Sequence, residues 1–373
     1  MISNLNCPFC SLGCAGISSI NNNNCEALNY HLMRLSDEIF PMIKGNKVSI
    51  EQAVKEIKKL ISFSKGLHID GLGCDYNGLK SIFSFAEKQR ASVDHCDGDN
   101  VADLNNTIQR FGGFFSSFGE VFHRSSLIIF IGVNQTTSEI YSTLKNAVNK
   151  PKIVFLDGKF KNIKKYQIPN FKKNSFFQHF EDVKKNFEDN LRDSTINKSL
   201  FRLLENSEYT TIVYASSGNK ELTQEIFNFV KFLNDKSLKV SILLYNGNNN
   251  LNGALQYSLW KTGFPLRIQF TDNGPFYDPI EISSKFLSTK KELQIYFSCF
   301  DYQNTFHMFK KNIFIGNPFE IKKKAFDVFI PAKIPGINKS GIIHRGDGLS
   351  TKKLKKFVDS ESCSIEQIIE FIS

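Results

Sequence analysis

Apolar positions follow two periods along the chain. From Ile50 onward, Ile50, Ala53, Val54, Ile57, Leu60 and Ile61 fall three and four residues apart, the spacing of one buried helical stripe. Ser49 and Gln52 precede it in the Ser-x-x-Gln pattern of a capping box, in which each side chain serves a free backbone N–H of the other. Ser364 and Gln367 repeat the pattern ahead of a short helix through Ile369. Helices are also expected near residues 78–90, 138–148 and 221–233. Other runs are apolar at nearly every position: residues 67–72, 127–133, 152–158, 211–215, 240–245, 293–297, 313–316 and 328–332, with a shorter strand at 92–95. Strands apolar on both faces, alternating with helices, mean a parallel sheet covered on both sides.

The expected fold class is therefore α/β, with Rossmann-like doubly wound parallel sheets in two lobes. A Cys-rich N-terminal segment (1–48) comes first. A first α/β lobe (49–160) follows, then a Lys- and Asn-rich connector (161–205) and a second α/β lobe (206–373). No C-terminal β-barrel domain is expected after the last strand. In open sheets of this kind ligands sit beyond the carboxyl ends of the strands. Any cleft should then be lined by Cys74–Asp75, residues 95–100, Asn134, Asp157, Ser216–Ser217 and Asn246–Gly247. No G-x-G-x-x-G follows the early strands, and no P-loop lysine motif or G-x-S-x-G elbow is present.

Composition changes this picture little. The 373 residues are 41% hydrophobic and 23% charged, as in an ordinary globular chain. Phe stands at 36 and Trp at 1, which reads as coding bias, so the net charge of +10 carries correspondingly less meaning. The lysines are scattered and interleaved with acids, as in Lys55-Glu56-Ile57-Lys58-Lys59, so a solvated basic surface is expected and a nucleic-acid partner is not. No apolar run approaches the roughly 20 residues of a membrane span. The N-terminus has no basic region leading into an apolar stretch, so a cytoplasmic protein without membrane or secretory signals is expected.

Eight cysteines in a reducing compartment are not expected to form disulfides. Cys7, Cys10 and Cys14 form a C-x2-C-x3-C run, with Cys25 after a short Asn-rich loop. Four thiolates so close can share one soft metal centre, either a cubane iron–sulfur cluster or tetrahedral zinc. The x3 spacing leans toward iron–sulfur, and free thiols in a vestigial motif are the third reading. Cys74, Cys299 and Cys363 read as small buried hydrophobes.

Several segments carry a resemblance. They are Cys7-Pro8-Phe9-Cys10-Ser11-Leu12-Gly13-Cys14; residues 75–134, through Val93-Asp94-His95-Cys96-Asp97-Gly98-Asp99; and Asn252-Gly253-Ala254 with Leu259-Trp260-Lys261-Thr262-Gly263-Phe264-Pro265 and Asn273-Gly274-Pro275-Phe276-Tyr277-Asp278-Pro279. Near the C-terminus Ile330-Pro331-Ala332, Pro335-Gly336-Ile337 and Arg345-Gly346-Asp347 fit the same pattern. Together they resemble the B subunit of formylmethanofuran dehydrogenase, a molybdopterin-oxidoreductase-like family. They resemble most its counterpart in the formyltransferase/hydrolase complex of methylotrophic bacteria, over nearly the whole chain.

The resemblance implies a set of roles. In the dehydrogenase a Cys thiolate ligates tungsten or molybdenum, two molybdopterin guanine dinucleotides hold the metal, and a His and a distant Arg handle protons and charge. Cys96 falls at the metal-ligand position. Asp97 stands where the pattern has His, and Asn273-Gly274 and Phe276-Tyr277 stand where an arginine is expected. Cys96 is therefore expected to be a relict ligand position, with no catalytic residue assigned and the pterin lost. A [4Fe-4S] cluster on Cys7, Cys10, Cys14 and Cys25 is the remaining cofactor expectation. In the methylotroph complex the implied partners are the hydrolase A and C subunits and the formyltransferase D subunit. The B-like chain would then be a non-catalytic scaffold in formaldehyde-to-formate one-carbon metabolism. A redox-active tungsten or molybdenum subunit is the alternative, and a free-standing small-molecule binding protein the third reading. Elsewhere, His95 is expected to bond Asp94 or nearby backbone, and His123-Arg124 to form a surface pair with Glu120. Trp260 is expected in the core or at an interface, and residues 345–348 in a turn.

Overall fold

Two groups of parallel strands organise the chain. The computed structural model describes residues 6–10, 12, 14, 28–29, 39–131, 137–156, 176–188, 198–215, 219–245, 248–300, 307–317 and 326–373. Along the chain the strands are β1 (Met42–Ile43), β2 (Asn46–Lys47), β3 (Leu67–Gly73), β4 (Ser92–Val93), β5 (Leu127–Ile131), β6 (Lys152–Phe155), β7 (Thr210–Tyr214) and β8 (Val240–Leu244). They continue as β9 (Ile268–Thr271), β10 (Gly274–Tyr277), β11 (Leu293–Ser298), β12 (Lys311–Gly316), β13 (Val328–Pro331), β14 (Gly341–His344) and β15 (Thr351–Leu354).

One unit comprises Met1–Asp99 with Gly247–Ser373. Its nine-stranded sheet has the order β10-β9-β4-β3-β11-β12-β13-β1-β2. The centre is parallel, with antiparallel hairpins at both edges. β14 and β15 form a separate antiparallel hairpin. Both predicted capping boxes are formed, at Ser49–Gln52 before the helix Ile50–Phe63 and at Ser364–Gln367 before Ile365–Ile372. The other unit, Asn100–Asn246, holds a parallel sheet of order β6-β5-β7-β8.

The division differs from the contiguous lobes expected from the sequence. β3 hydrogen-bonds β11 from Leu67↔Leu293 onward, and β5 hydrogen-bonds β7 from Leu127↔Thr210 onward. The first two βα units thus complete a sheet with the last third of the chain, and the middle strands form their own. The expected connector is not outside a core either. Its helices Phe176–Glu188 and Lys198–Glu205 bury Phe180, Val183, Leu200 and Leu204 against β5, β7 and the helix Lys220–Asp235. Full burial of each such side chain contributes about 1.5–3 kcal/mol.

Two local differences bear on function. The strand expected over 92–95 stops at Val93, and the residues after it, expected as a turn over 96–100, open the helix Gly98–Phe111 at Gly98. β3 also gains one residue against β11 between Asp70↔Tyr296 and Gly73↔Ser298. Gly71 and Leu72 take φ of 87° and 55° there. A Cβ on Gly71 would meet the Phe297 carbonyl oxygen at 2.5 Å, so only glycine fits this bulge. Among the described residues no sheet closes into a barrel and no helix is long and apolar enough to cross a membrane.

Candidate functional site

β3, and β4 with the residue that follows it, carry a run of buried polar residues. His68 and Asp70 alternate along β3, and Ser92 with Asp94 do the same at β4, so both pairs share one side of the sheet. All four are 3% exposed or less, and buried polar groups of this kind require partners. Asp94 receives the backbone N–H of His95 (2.8 Å) and of Ser284 (3.0 Å) and Nε of Arg267 (3.3 Å), and its Oδ2 lies 3.2 Å from Ser284 Oγ. Arg267 also donates to the Asp99 carboxylate and to the Pro279 carbonyl (2.6 Å). Arg267 has a φ of 75°, a backbone conformation costing of order 1–3 kcal/mol that persists where the surroundings over-determine it. A Cβ at Gly98 would lie 2.2 Å from Asp94 Oδ1, so glycine is what lets the helix start against this pair.

An arginine is therefore present in the third resembling segment, two residues after Pro265. Sequence reasoning looked for it at 273–277 and missed it. The signal was there: a lone cation inside the run Leu266-Arg267-Ile268-Gln269-Phe270 calls for a buried counter-charge.

The loop after Asp94 holds His95, Cys96 and Asp97. The His95 ring accepts the Asp97 N–H at Nδ1 (3.0 Å), so its proton sits on Nε2, which donates to the Asn249 carbonyl (3.3 Å). Burial lowers this imidazole to about 4. The ring thus bonds backbone, as expected, while Asp94 takes its main-chain N–H. Cys96 Sγ lies 3.5 Å from His95 Nδ1 and 3.5 Å from the Asn249 side-chain amide. Burial pushes the Cys96 thiol well up. The carboxylates of Asp97 and Asp70 add to the rise, while hydrogen bonds from Tyr296 and Asn249 work against it. One ligand atom from each of His95, Cys96 and Asp97 lies within 4.8 Å of the others. The Nδ1 lone pair, however, is already taken by Asp97 N–H.

Asp70 lies behind this loop, opposite Tyr296 in register. Burial, and next the Asp94 charge, push its carboxyl up to about 7, against hydrogen bonds from Ser284 and the Gly71 N–H.

At the N-terminus Cys7 N–H bonds the Cys14 carbonyl (2.9 Å), closing the loop. The Cys10 thiol is raised first by its hydrogen bond to Cys14, then by burial and by the charges of Cys7 and Cys14. Asn6 donates to the Lys353 carbonyl (2.8 Å), which ties the loop to the β14–β15 hairpin. There the half-buried Lys352 ammonium, lowered by burial, is favoured by Cys14, Cys7 and Cys10. Cys10 and Cys14 are hydrogen-bonded side chain to side chain and Cys7 acts on the same thiol, so these three residues supply the kind of donor a soft metal centre takes. Cys25, the expected fourth ligand, lies outside the described residues, as do Asn134, Asp157, Ser216–Ser217 and Asn246–Gly247.

The tungsten or molybdenum pterin fits less well. Its dithiolene centre is anionic, and the charges acting on the Cys96 sulfur are the carboxylates of Asp97 and Asp70. Arg267 is held by Asp94 and Asp99.

The remaining expected residues have structural roles. Asp75 caps the helix Tyr76–Lys88 and pairs with Lys339 (3.0 Å). Cys74 and Cys299 are buried and Cys363 half-buried. Arg124 pairs with Glu120 (2.9 Å) across one helical turn. Trp260 is 71% exposed and stacks on Tyr76, so it is not a core residue. Arg345 and Asp347 pair within their turn.

No family model matches the chain. Its sequence is 22% identical to the B subunit of the tungsten-containing formylmethanofuran dehydrogenase 2 of Methanococcus maripaludis, over 94% of this chain and 92% of the relative. It is 21% identical to the protein of the same name from Methanocaldococcus jannaschii, over 96% and 94%. The chain resembles the B subunit of formylmethanofuran dehydrogenase along nearly its whole length. Among solved structures, a chain of the formyltransferase/hydrolase complex (FhcABCD) from Methylorubrum extorquens, in complex with methylofuran, superposes with a TM-score of 0.76 at 16% identity. It covers 89% of this chain and 97% of that one. Acetylene hydratase from Pelobacter acetylenicus gives 0.61 at 10% identity, over 99% of this chain and 68% of that one. Both share the fold of this B-like chain.

Proposed function

We propose that this chain is the B-type subunit of a formyltransferase/hydrolase complex in one-carbon metabolism, a framework for other subunits rather than a redox centre. The observation that carries the reading is the charge at Cys96. A thiolate ligand to an anionic metal–pterin needs compensating cations, and the sulfur here faces two carboxylates. The full-length superposition on a chain of the FhcABCD complex supports the kind of assembly. Its hydrolase-type A and C subunits and formyltransferase-type D subunit are the partners this reading requires. The N-terminal thiols are the retained part, as ligands of an iron–sulfur cluster.

Elemental analysis of the complex isolated without oxygen tests the reading. Tungsten, molybdenum and oxidised-pterin fluorescence should stay far below one equivalent per chain, and about one metal per chain would overturn it. The redox-active alternative draws on the near-complete coverage of the two tungsten-containing relatives. It requires viologen-linked formylmethanofuran oxidation that Cys96→Ser abolishes.

A further inference from the structure

The polar residues behind the Cys96 loop form one unbroken line of hydrogen bonds across β4, β3 and the helix Ser284–Leu287. The half-buried Lys291 ammonium donates to Ser92 Oγ (2.8 Å), and Ser92 Oγ lies 2.8 Å from His68 Nδ1. His68 Nε2 lies 2.9 Å from Ser284 Oγ, whose single proton goes to the nearer carboxylate, Asp70 Oδ2 at 2.7 Å rather than Asp94 Oδ2 at 3.2 Å. An ionised carboxylate only accepts, so Ser284 must receive its own bond from His68 Nε2–H. A neutral imidazole with its proton on Nε2 accepts at Nδ1, so Ser92 donates there. Every donor in the line therefore points from Lys291 toward Asp70. Register fixes the spacing, because His68 pairs with Ser92 across β3 and β4 and Asp70 with Tyr296 across β3 and β11.

We propose that this line is a proton path, with Lys291 as its outer end and Asp70 as its inner end beside the Cys96 loop. One transfer breaks a Lys291 N–H bond and passes that proton to Ser92, whose own proton moves to His68 Nδ1. The Nε2 proton passes to Ser284 and the Ser284 proton to Asp70. Ammonium plus carboxylate become amine plus carboxylic acid, no electrons move, and the reversed pattern of donors is again complete.

Three features fit the path. The ends are matched: burial lowers Lys291 to about 8, while burial and then Asp94 raise Asp70 to about 7. The middle stays neutral: burial, then the charges of Lys291, Arg267 and His307, hold His68 well below the ordinary histidine range, and Phe309 stacks on its ring at 5.2 Å. Finally, Gln294 donates its Nε2 to Asp70 (3.2 Å) while its buried Oε1 has no partner. A flipped amide would present that oxygen to the O–H of protonated Asp70. The groups facing the ends are Asp94, Arg267 and Gln294 at Asp70, and Gln269 Oε1 and the Leu67 carbonyl at Lys291. The inference rests on the sheet geometry and holds whether or not the chain is a scaffold.

The test is a rapid pH drop on the full-length chain, followed by the infrared carboxylic-acid band that Asp70→Asn removes. Lys291→Arg keeps the charge but cannot release its proton. It should slow the rise of the band by about tenfold or more, with its midpoint nearly unmoved. Ser92→Thr, which keeps the hydroxyl, should retain the parental rate, and the similarly shaped Ser92→Val should lose it. Variants at two positions keep the test open if one fails to fold, as checked by circular dichroism. A parental rate in Lys291→Arg or Ser92→Val, or no such band in the parent, would overturn the proposal.

Discussion

Replacing Asp70 by Asn should make the chain more tolerant of high pH, by an amount the structure sets. Asp70 is 3% exposed, and its carboxyl rises from 3.8 to about 7 through burial and then the neighbouring Asp94. Below pH 3.8 both folded and unfolded chains hold the proton, and the group favours neither. Between 3.8 and about 7 the unfolded chain ionises while the folded chain keeps its proton, so stability falls with rising pH. Above about 7 the folded chain ionises as well, and the loss is complete. At roughly 1.4 kcal/mol per pKa unit, a shift of about three units corresponds to a loss of order 4 kcal/mol. Asn at position 70 cannot ionise, and a flipped Gln294 amide would turn its unpartnered Oε1 toward the Asn N–H. Urea unfolding of parent and Asp70→Asn from about pH 5 to about pH 8 isolates this group, because contributions common to both chains, such as His95, cancel in the difference. The variant should gain on the parent progressively, by a few kcal/mol across the range. A difference that stays flat within about 1 kcal/mol, or that slopes the other way, refutes the assignment of a buried, proton-retaining Asp70.

Two further outcomes follow from single contacts. Arg267→Met leaves Asp94, 1% exposed at its side chain, without its cation and should cost about 3–5 kcal/mol in denaturant unfolding, with Arg267→Lys recovering only part. Cys10→Ser in chain prepared without oxygen should lower bound iron and acid-labile sulfide to near zero, whereas a parent already free of iron would mark the N-terminal thiols as vestigial.

Local signals were legible and long-range ones were not. The capping boxes at Ser49 and Ser364 each depend on one short run of residues, and both form. Strand positions were readable because both faces are buried. Partnership was not, because an apolar parallel strand offers the same surface to any neighbour. Nothing in residues 67–73 marks them for β11, far along the chain, rather than for β5. The β9–β10 hairpin was more accessible: Thr271 pairs with Gly274 across only Asp272 and Asn273, residues suited to a two-residue turn. The bulge at Gly71 and Leu72 had one visible sign, the glycine inside a strand.

The candidate site was half legible for an electrostatic reason. Cys96 and Asp97 are adjacent, so their mutual repulsion could be read from the sequence. The rest of the charge is assembled from Asp70, Asp94, Asp99 and Arg267, whose carboxylates and guanidinium meet only in the fold. Counting Asp97, these are four carboxylates against one guanidinium, an excess of three negative charges when all are ionised. Retaining a proton on Asp70 reduces the excess to two, and the neutral Cys96 thiol avoids adding another. Asp97→Asn removes the largest charge acting on the sulfur, second only to burial as a cause of its raised pKa. The side-chain change leaves the Asp97 N–H to His95 in place. For each unit the thiol falls, the thiolate fraction rises about tenfold, while the lower basicity reduces intrinsic reactivity, so the net gain in alkylation rate is about threefold per unit. Timed iodoacetamide labelling of folded chain, read at the Cys96 peptide by mass spectrometry, should therefore run several-fold faster in Asp97→Asn than in the parent. Equal rates would mean that burial alone holds the thiol protonated, and the electrostatic case against an anionic metal–pterin at this position would fall with it.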